Sequence, residues 1–486
     1  MRYTSRCTRP RNTTLTPRAA SAQGTVMRPS RFLVAIFVSL VMPFSVSTSS
    51  SAQTVTNIYS FTGNNSSAYP FSTPAQGRDG RLYITTSGTT SGYGSILAVS
   101  TDGKAVLFHV FDDIHGSGPL GGLMLSTDGN FYGTTAYGGS ANAGVLFRIS
   151  KSGKYSVLHE FASGADGQNP FSPPVEASDG NLYGTTLGSA RVGSTLYKYS
   201  PSTGYSVLRE FYKNQGHLIG SSPIQAIDGN LYMTANNGGT NRCGAILKLA
   251  LSGDLLASYS FACGAGGANP NGQLLQASDG NFYGTTQAGG TAGQGTVYKL
   301  DQSGTISVLY SFLGSPTDGS DPDSGLAQAT DGNLYGTTVA GGSATQGTLF
   351  QISTTGVYAR LFEFGDTAGQ YPYGGPMQDT NGLIYGTVYQ GGTDNFGAVY
   401  SLDMGLGPLI SFVRPSAKVG EAAQILGQGL SGTTSVTFNG VAASSFSVVS
   451  DTYMTAVVPS GATTGPVVVT TPTGPLTSNV SFRISH

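Results

Sequence analysis

The sequence predicts an all-β chain, a seven-bladed β-propeller of four-stranded repeats about 50 residues long, followed by a smaller β-sandwich. Three observations carry this. One octapeptide pattern recurs seven times at near-constant spacing. Each copy sits among four short strand signals separated by glycine turns. Nowhere does an apolar period of 3.6 residues persist, so helices are not expected.

The pattern is clearest as DGNFYGTT at 128–135 and 279–286, and as DGNLYGTT at 179–186 and 331–338. Degenerate copies are DGRLYITT at 79–86, DGNLYMTA at 228–235 and NGLIYGTV at 381–388. Successive copies start 49, 51, 49, 51, 52 and 50 residues apart, which marks internal duplication. Within a unit, an apolar segment such as 274–278 precedes the Asp-Gly pair, whose tolerance of positive φ makes a tight hairpin turn. The Tyr- and Thr-rich segment after it is the second strand. A looser loop, often with Gly-Gly, leads to a third strand such as 295–300. A Ser-Gly turn such as Ser303-Gly304 then leads to a fourth strand at 306–312.

A closed ring is expected rather than an open solenoid. Residues 54–61 match only the fourth strand, and the seventh unit lacks one before the chain changes character at 404–407. Pairing the two removes an exposed sheet edge. Strand alternation puts the Asp-Gly and Ser-Gly turns on one face and the longer, more varied loops (111–119, 211–223, 312–325) on the other. Any site is expected on that loop-rich face or at the channel mouth there.

Residues 1–52 read as a secretory signal peptide with a basic N-terminal extension. They hold seven arginines and no acid, an apolar run from Phe32 to Met42, Pro43, and a small-residue exit ending at Ala52. A start at Met27 would give a signal of ordinary length. The expected organisation is 53–403 for the propeller, 404–407 for a linker and 408–486 for the sandwich, in a secreted or cell-surface protein. No transmembrane anchor is expected once the signal is removed.

Composition narrows the function. The chain has 71 glycines in 486 residues, 10% charged residues, no tryptophan and a net charge of −1, moving to about −8 without residues 1–52. Glycine follows no G-X-Y register, which excludes collagen, and no charge block supports a nucleic-acid-binding arm. Beyond residue 52 the cysteines are Cys243, just before a third strand, and Cys263, just after the adjoining fourth. Gly253 in the turn is ten residues from each, so the thiols face each other across the open end of the hairpin. In an exported protein this predicts a disulfide.

The unit DGNLYGTT…GG…GTVYKL…SG…SVLYSF resembles the GloVer (Gloeo-Verruco) tandem repeat of exported bacterial proteins over about residues 54–403. That resemblance implies export and supplies no catalytic residues. The segments 408–415, 419–420, 425–430, 436–440, 457–459, 461–465 and 467–471 are similar to an IPT/TIG immunoglobulin-like domain. Such domains imply a spacer or binding role.

Candidate chemistry is sparse. His109 and His159 share a fourth-strand position that other units fill with Arg209, Tyr259 or Tyr310, which fits packing better than metal binding. His115 and His217 lie in loops. Asp318, Asp321 and Asp323 offer oxygens for calcium but lack the glutamate of a standard loop. The repeated Asp79-to-Asn381 column fits turn capping, and the tyrosine column (Tyr83, Tyr132, Tyr183, Tyr232, Tyr283, Tyr335, Tyr385) fits packing between blades. No catalytic, cofactor-binding or metal-binding residue is assigned. The expected function is a non-catalytic scaffold or binding module, monomeric, using the loop-rich face for a cell-envelope or extracellular glycan or protein. The alternative is a polysaccharide lyase or hydrolase at the channel mouth, which needs convergent carboxylates, Lys or His where the loops are mostly Gly, Ser, Thr, Asn and Ala.

Overall fold

The computed structural model describes residues 55–64, 67–89, 92–188, 193–212, 216–366 and 368–485. The expected signal peptide lies outside these residues. Among them there is no α-helix, and the strands form antiparallel sheets following one another along the chain.

Seven of them, each of at least four strands, occupy the described residues from Val55 to Leu402, together with a two-stranded pair, Gly319–Ser320 with Ala340–Gly341. Their second strands are Leu82–Thr86, Phe131–Thr135, Leu182–Thr186, Leu231–Ala235, Phe282–Ala288, Leu334–Thr338 and Ile384–Val388, and the sheets are numbered here in that order. Sheet one is typical: Ala75–Gln76, Leu82–Thr86, Ser95–Val99 and Ala105–Val110 pair consecutively. Sheet five gains Ala268–Pro270 beside the far end of its second strand. In sheet seven the fourth place is taken by Val55–Ser60, paired antiparallel with Ala398–Leu402 from the other end of the chain.

A reciprocal choice of side-chain volume fills each sheet. The central residue of the second strand opposes one on the third: Gly133 with Phe147, Gly184 with Tyr197, Gly284 with Tyr298, Gly336 with Phe350 and Gly386 with Tyr400. A Cβ on any of these glycines would overlap the opposing ring. Where the second strand carries a large residue, the third carries leucine, as in Ile84 with Leu97 and Met233 with Leu247. The space between the strands is filled either by one ring reaching over a glycine or by two aliphatic chains side by side.

Neighbouring sheets are latched by one side chain each. The residue three before the Asp-Gly aspartate is Gln76, Leu125, Glu176, Gln225, Gln276, Gln328 or Gln378. Gln225, Gln276, Gln328 and Gln378 each accept a backbone N–H from the turn of the preceding sheet (Ser178, Ile227, Ser278 and Thr330) at 2.8–2.9 Å. Each also donates to the carbonyl of its own turn glycine. Glu176 accepts from the Thr127 N–H and the Ser126 hydroxyl, both at 2.8 Å. Gln76 donates to the Thr380 hydroxyl at 2.6 Å, a contact spanning 304 residues that joins sheet one to sheet seven. Sheet two has Leu125 instead, and there Arg78 of sheet one reaches the Thr127 carbonyl at 2.8 Å.

The residues after 408 form two further four-stranded sheets and a short parallel pair, Ser416–Lys418 with Arg483–Ser485. Both sheets feed one core containing Ile425, Phe438, Met454, Val467, Val469 and Phe482. This module rests on the Asp-Gly turns. Thr452 donates to the Arg78 carbonyl at 2.7 Å, Gln424 to that of Thr127 at 2.7 Å, and Asn479 to that of Gln328 at 3.0 Å. Arg414 pairs with Glu176 at 3.3 Å, Arg483 donates to Gln225 at 2.8 Å, and the Leu409 N–H donates to the Thr380 carbonyl at 3.0 Å. The Arg78 guanidinium lies 4.4 Å above the Tyr453 ring. Turns of six of the seven sheets are engaged, so the module spans the ring at that end.

Gly284→Met is expected to lower unfolding free energy by about 3 kcal/mol through overpacking against Tyr298. Adding Tyr298→Leu recreates the sheet-four pair and should recover most of that loss. Urea denaturation of the two single variants and the double variant measures the coupling.

Candidate functional site

The end of the ring opposite the C-terminal module opens into a cavity of about 510 Å³ lined by all seven sheets. Its geometry is set by a segment that precedes each first strand. This segment reads, in order, a left-handed residue, a proline, a variable residue and a small residue. The left-handed residues are Tyr69, Gly118, Asn169, Leu218, Asn269, Asp321 and Tyr371, with φ between 52° and 60°. Six of the seven are not glycine, a conformation costing about 1 kcal/mol each. Proline follows in every sheet except four, where Ile219 stands.

Hydrogen bonds explain why the strain persists. The Tyr371 N–H donates to the Gln346 carbonyl of the preceding sheet at 2.9 Å, and its carbonyl accepts from the Tyr389 N–H of its own sheet at 3.2 Å. The Tyr69, Asn169 and Asp321 backbones bridge in the same way. The small residue two places after the proline is held by a threonine of the preceding sheet. Thr134, Thr185, Thr285 and Thr387 donate to the carbonyls of Ser172, Ser221, Ser324 and Ser72 at 2.8–2.9 Å. At Gly121, Gly272 and Gly374 backbone of the next sheet lies where a Cβ would stand.

The variable residue between these anchors is half-buried in every sheet and faces the cavity. Around the ring these residues are Phe71, Leu120, Phe171, Gly220, Asn271, Asp323 and Tyr373. Phe71 and Tyr373 stack with ring centroids 4.5 Å apart. Asn271 Nδ2 donates to Asp323 Oδ1 at 2.6 Å. One arc of the rim is therefore aromatic and aliphatic, the other is an amide–carboxylate pair, and Gly220 leaves a gap between them. Among the described lining residues Asp323 is the sole carboxylate, and there is no Lys, Arg or His.

Burial raises the Asp323 carboxyl, opposed by the Asn271 hydrogen bond. Burial and the Asp323 charge push Asp321 up to about 6. Asp318 stands apart, bonded to the Tyr310 and Tyr358 hydroxyls at 2.8 Å and to the Leu313 and Gly319 N–H groups. The three aspartates thus do not converge, and among the described residues no three His, Cys, Asp or Glu gather around a point.

The other sequence candidates are structural. In six sheets the Asp-Gly aspartate accepts the hydroxyl of the tyrosine four residues on, at 2.6–3.1 Å. In sheet seven Asn381 donates to Tyr385 instead. His109 stacks on Tyr155 and His159 on Tyr205, with centroids 4.2 and 3.6 Å apart, between adjoining sheets. His115 bonds Asp112, and His217 exchanges backbone bonds with Asn237. Cys243 and Cys263 are joined in a disulfide with Cα atoms 5.4 Å apart. The latch glutamines and the cavity rim were not read from sequence. Each is a column in the repeat, and aligning the seven units beyond the octapeptide exposes both.

A family model, the Gloeobacter/Verrucomicrobia repeat, matches residues 43–226 and 219–448, most of the chain. The chain belongs to this repeat family. No curated protein matches this repeat protein. It is similar in structure to hydrazine synthase of Kuenenia stuttgartiensis, at 14% identity over 68% of this chain and 95% of that one, TM-score 0.48. It is also similar to a putative 6-phosphogluconolactonase of Bacteroides fragilis, at 16% identity over 64% and 91%, TM-score 0.44. A third is a putative gluconolactonase, at 13% identity over 74% and 94%, TM-score 0.39.

Two outcomes follow. Replacing Cys243 and Cys263 with serine releases a loop of 20 residues and is expected to cost about 3 kcal/mol, read from denaturation midpoints. Asp321 has a folded pKa above its unfolded value, so its protonated form favours the fold and that contribution is lost as pH rises toward 6. Asp321→Asn should therefore raise the melting temperature by an amount that grows between about pH 4 and 6 and then levels off. Melts across pH 4–8 check this.

Proposed function

We propose that the chain is an exported, non-catalytic binding module: a seven-bladed β-propeller at 53–403, a linker at 404–407 and an immunoglobulin-like IPT/TIG module at 408–486. A ligand is taken at the channel mouth on the loop-rich face. The observation that carries this reading is the convergence of one variable residue from every sheet on a single open cavity, with a side chain from six of them. The opposite end of the ring is engaged by the C-terminal module.

Seven consecutive sheets, with Val55–Ser60 completing the last, support the propeller reading. Two sheets sharing one core support the immunoglobulin-like reading. Export is supported by the basic, apolar and small-residue order of residues 1–52 and by the disulfide. Among the described residues no helix is long and apolar enough to cross a membrane. A glycosidase uses two carboxylates flanking the scissile bond, and one described carboxylate in the cavity lining weighs against that chemistry.

The test is incubation of the exported protein with a polysaccharide panel, followed by binding assays and mass spectrometry of the soluble products. Retention without shortened or unsaturated products is expected. Turnover of any substrate would overturn the non-catalytic reading.

A further inference from the structure

We infer that the channel mouth takes the end of a neutral oligosaccharide, seated with a sugar face on the Phe71–Leu120–Phe171 arc and hydroxyls on the Asn271–Asp323 pair. This rests on the binding-module reading and names its ligand class. Three features of the rim point the same way.

First, the rim is divided. Aromatic rings meet the C–H faces of a pyranose, and an amide–carboxylate pair meets vicinal hydroxyls, one group accepting while the other donates. The Asn271–Asp323 bond at 2.6 Å orients both groups before a ligand arrives. Stacking of Phe71 on Tyr373 likewise holds those two rings in place. Neither pair must be ordered on binding.

Second, the electrostatics select against other ligands. With no described Lys, Arg or His in the lining, a phosphate, a uronate or a nucleic acid finds no counter-charge beside Asp323. The remaining polar lining is neutral, including Thr73, Ser222 and Gln273.

Third, the size fits. A cavity of about 510 Å³ lies within the range of small-ligand sites, and it opens on the face away from the C-terminal module. The C-terminal module is docked on the turns at the other end of the ring, which favours entry of a chain end at the mouth over threading of a continuous strand.

Gly220 supplies the test. Its backbone lies outside the left-handed region, and among the described residues a Cβ there meets only Asn271 Oδ1 at 3.6 Å and Leu187 Cδ1 at 3.7 Å. Gly220→Trp should therefore fill the gap without strain, and an unchanged melting temperature verifies folding. The experiment probes an array of neutral, anionic and amine-bearing glycans with the wild-type protein, Gly220→Trp, Phe171→Ala and Asp323→Asn. The expected result is a signal on neutral glycans that Gly220→Trp abolishes. Phe171→Ala and Asp323→Asn should each weaken it at least tenfold. No neutral-glycan signal, or a signal confined to charged glycans, overturns the ligand class. A neutral-glycan signal that survives Gly220→Trp overturns the site and leaves a glycan binder acting through another face. Shortening of the bound glycan sinks the non-catalytic reading while the ligand class and site stand.

Discussion

The side chain that crosses from one sheet to the turn of the preceding one, an amide in five of the seven sheets, is the constraint on which the rest of the ring depends. A glutamine offers one acceptor and two donors, and here the acceptor takes an N–H from the neighbour while a donor binds its own turn carbonyl. Both groups are backbone atoms of tight turns. Each such bond contributes about 1 kcal/mol net, so the latches act by their number around the ring rather than singly. The latch joins one turn to the next, and the same step is taken around the ring until Gln76 meets Thr380. Where leucine replaces the amide at 125, arginine at 78 spans the same junction from the opposite direction, reaching from the sheet-one turn to the Thr127 carbonyl of sheet two. The chemistry changes and the requirement stays.

The two ends of the ring follow from this arrangement. The latched end presents regular turns, and the C-terminal module reads them through their carbonyls and through Glu176 and Gln225. Those two residues therefore serve twice, as latches and as docking points. At the other end the chain must cross from the fourth strand of one sheet to the first strand of the next. It does so through a left-handed residue bonded on both sides, which fixes the direction of the residue after the proline. Strain at Tyr69, Asp321 or Tyr371 is the cost of that fixed direction.

Much of the architecture was legible because it is written in residues with restricted roles. Asp-Gly marks a hairpin turn, a lone fourth strand at 54–61 marks a ring, and two cysteines equidistant from Gly253 mark a hairpin bridge. The candidate site was not legible, for a physical reason. Its side chains are Phe, Leu, Phe, Gly, Asn, Asp and Tyr, with no shared chemistry to recognise as a motif. What they share is the backbone frame around them, and a frame appears only when the seven units are superposed. The docking surface was hidden differently. Arg78, Arg414 and Arg483 look like ordinary surface charges until turns and module come together.

Low charge and abundant glycine can then be explained together. The second strand is buried along its whole length in nearly every sheet and the third along most of its own, which leaves few places for a charged side chain. Glycine enters where a ring from the third strand needs the space, and where adjoining backbones cross beside the channel. Each of these positions is tied to a partner, so a change at one demands a change at another, as the exchange of Gly–Tyr for Met–Leu in sheet four illustrates. Among the rim residues Phe71 is tied to Tyr373 and Asn271 to Asp323, while the segment that carries each of them is held through backbone atoms and threonine hydroxyls. On the proposed reading, a ring whose frame is held in this way can exchange its rim residues, and with them what it binds, without altering how it folds.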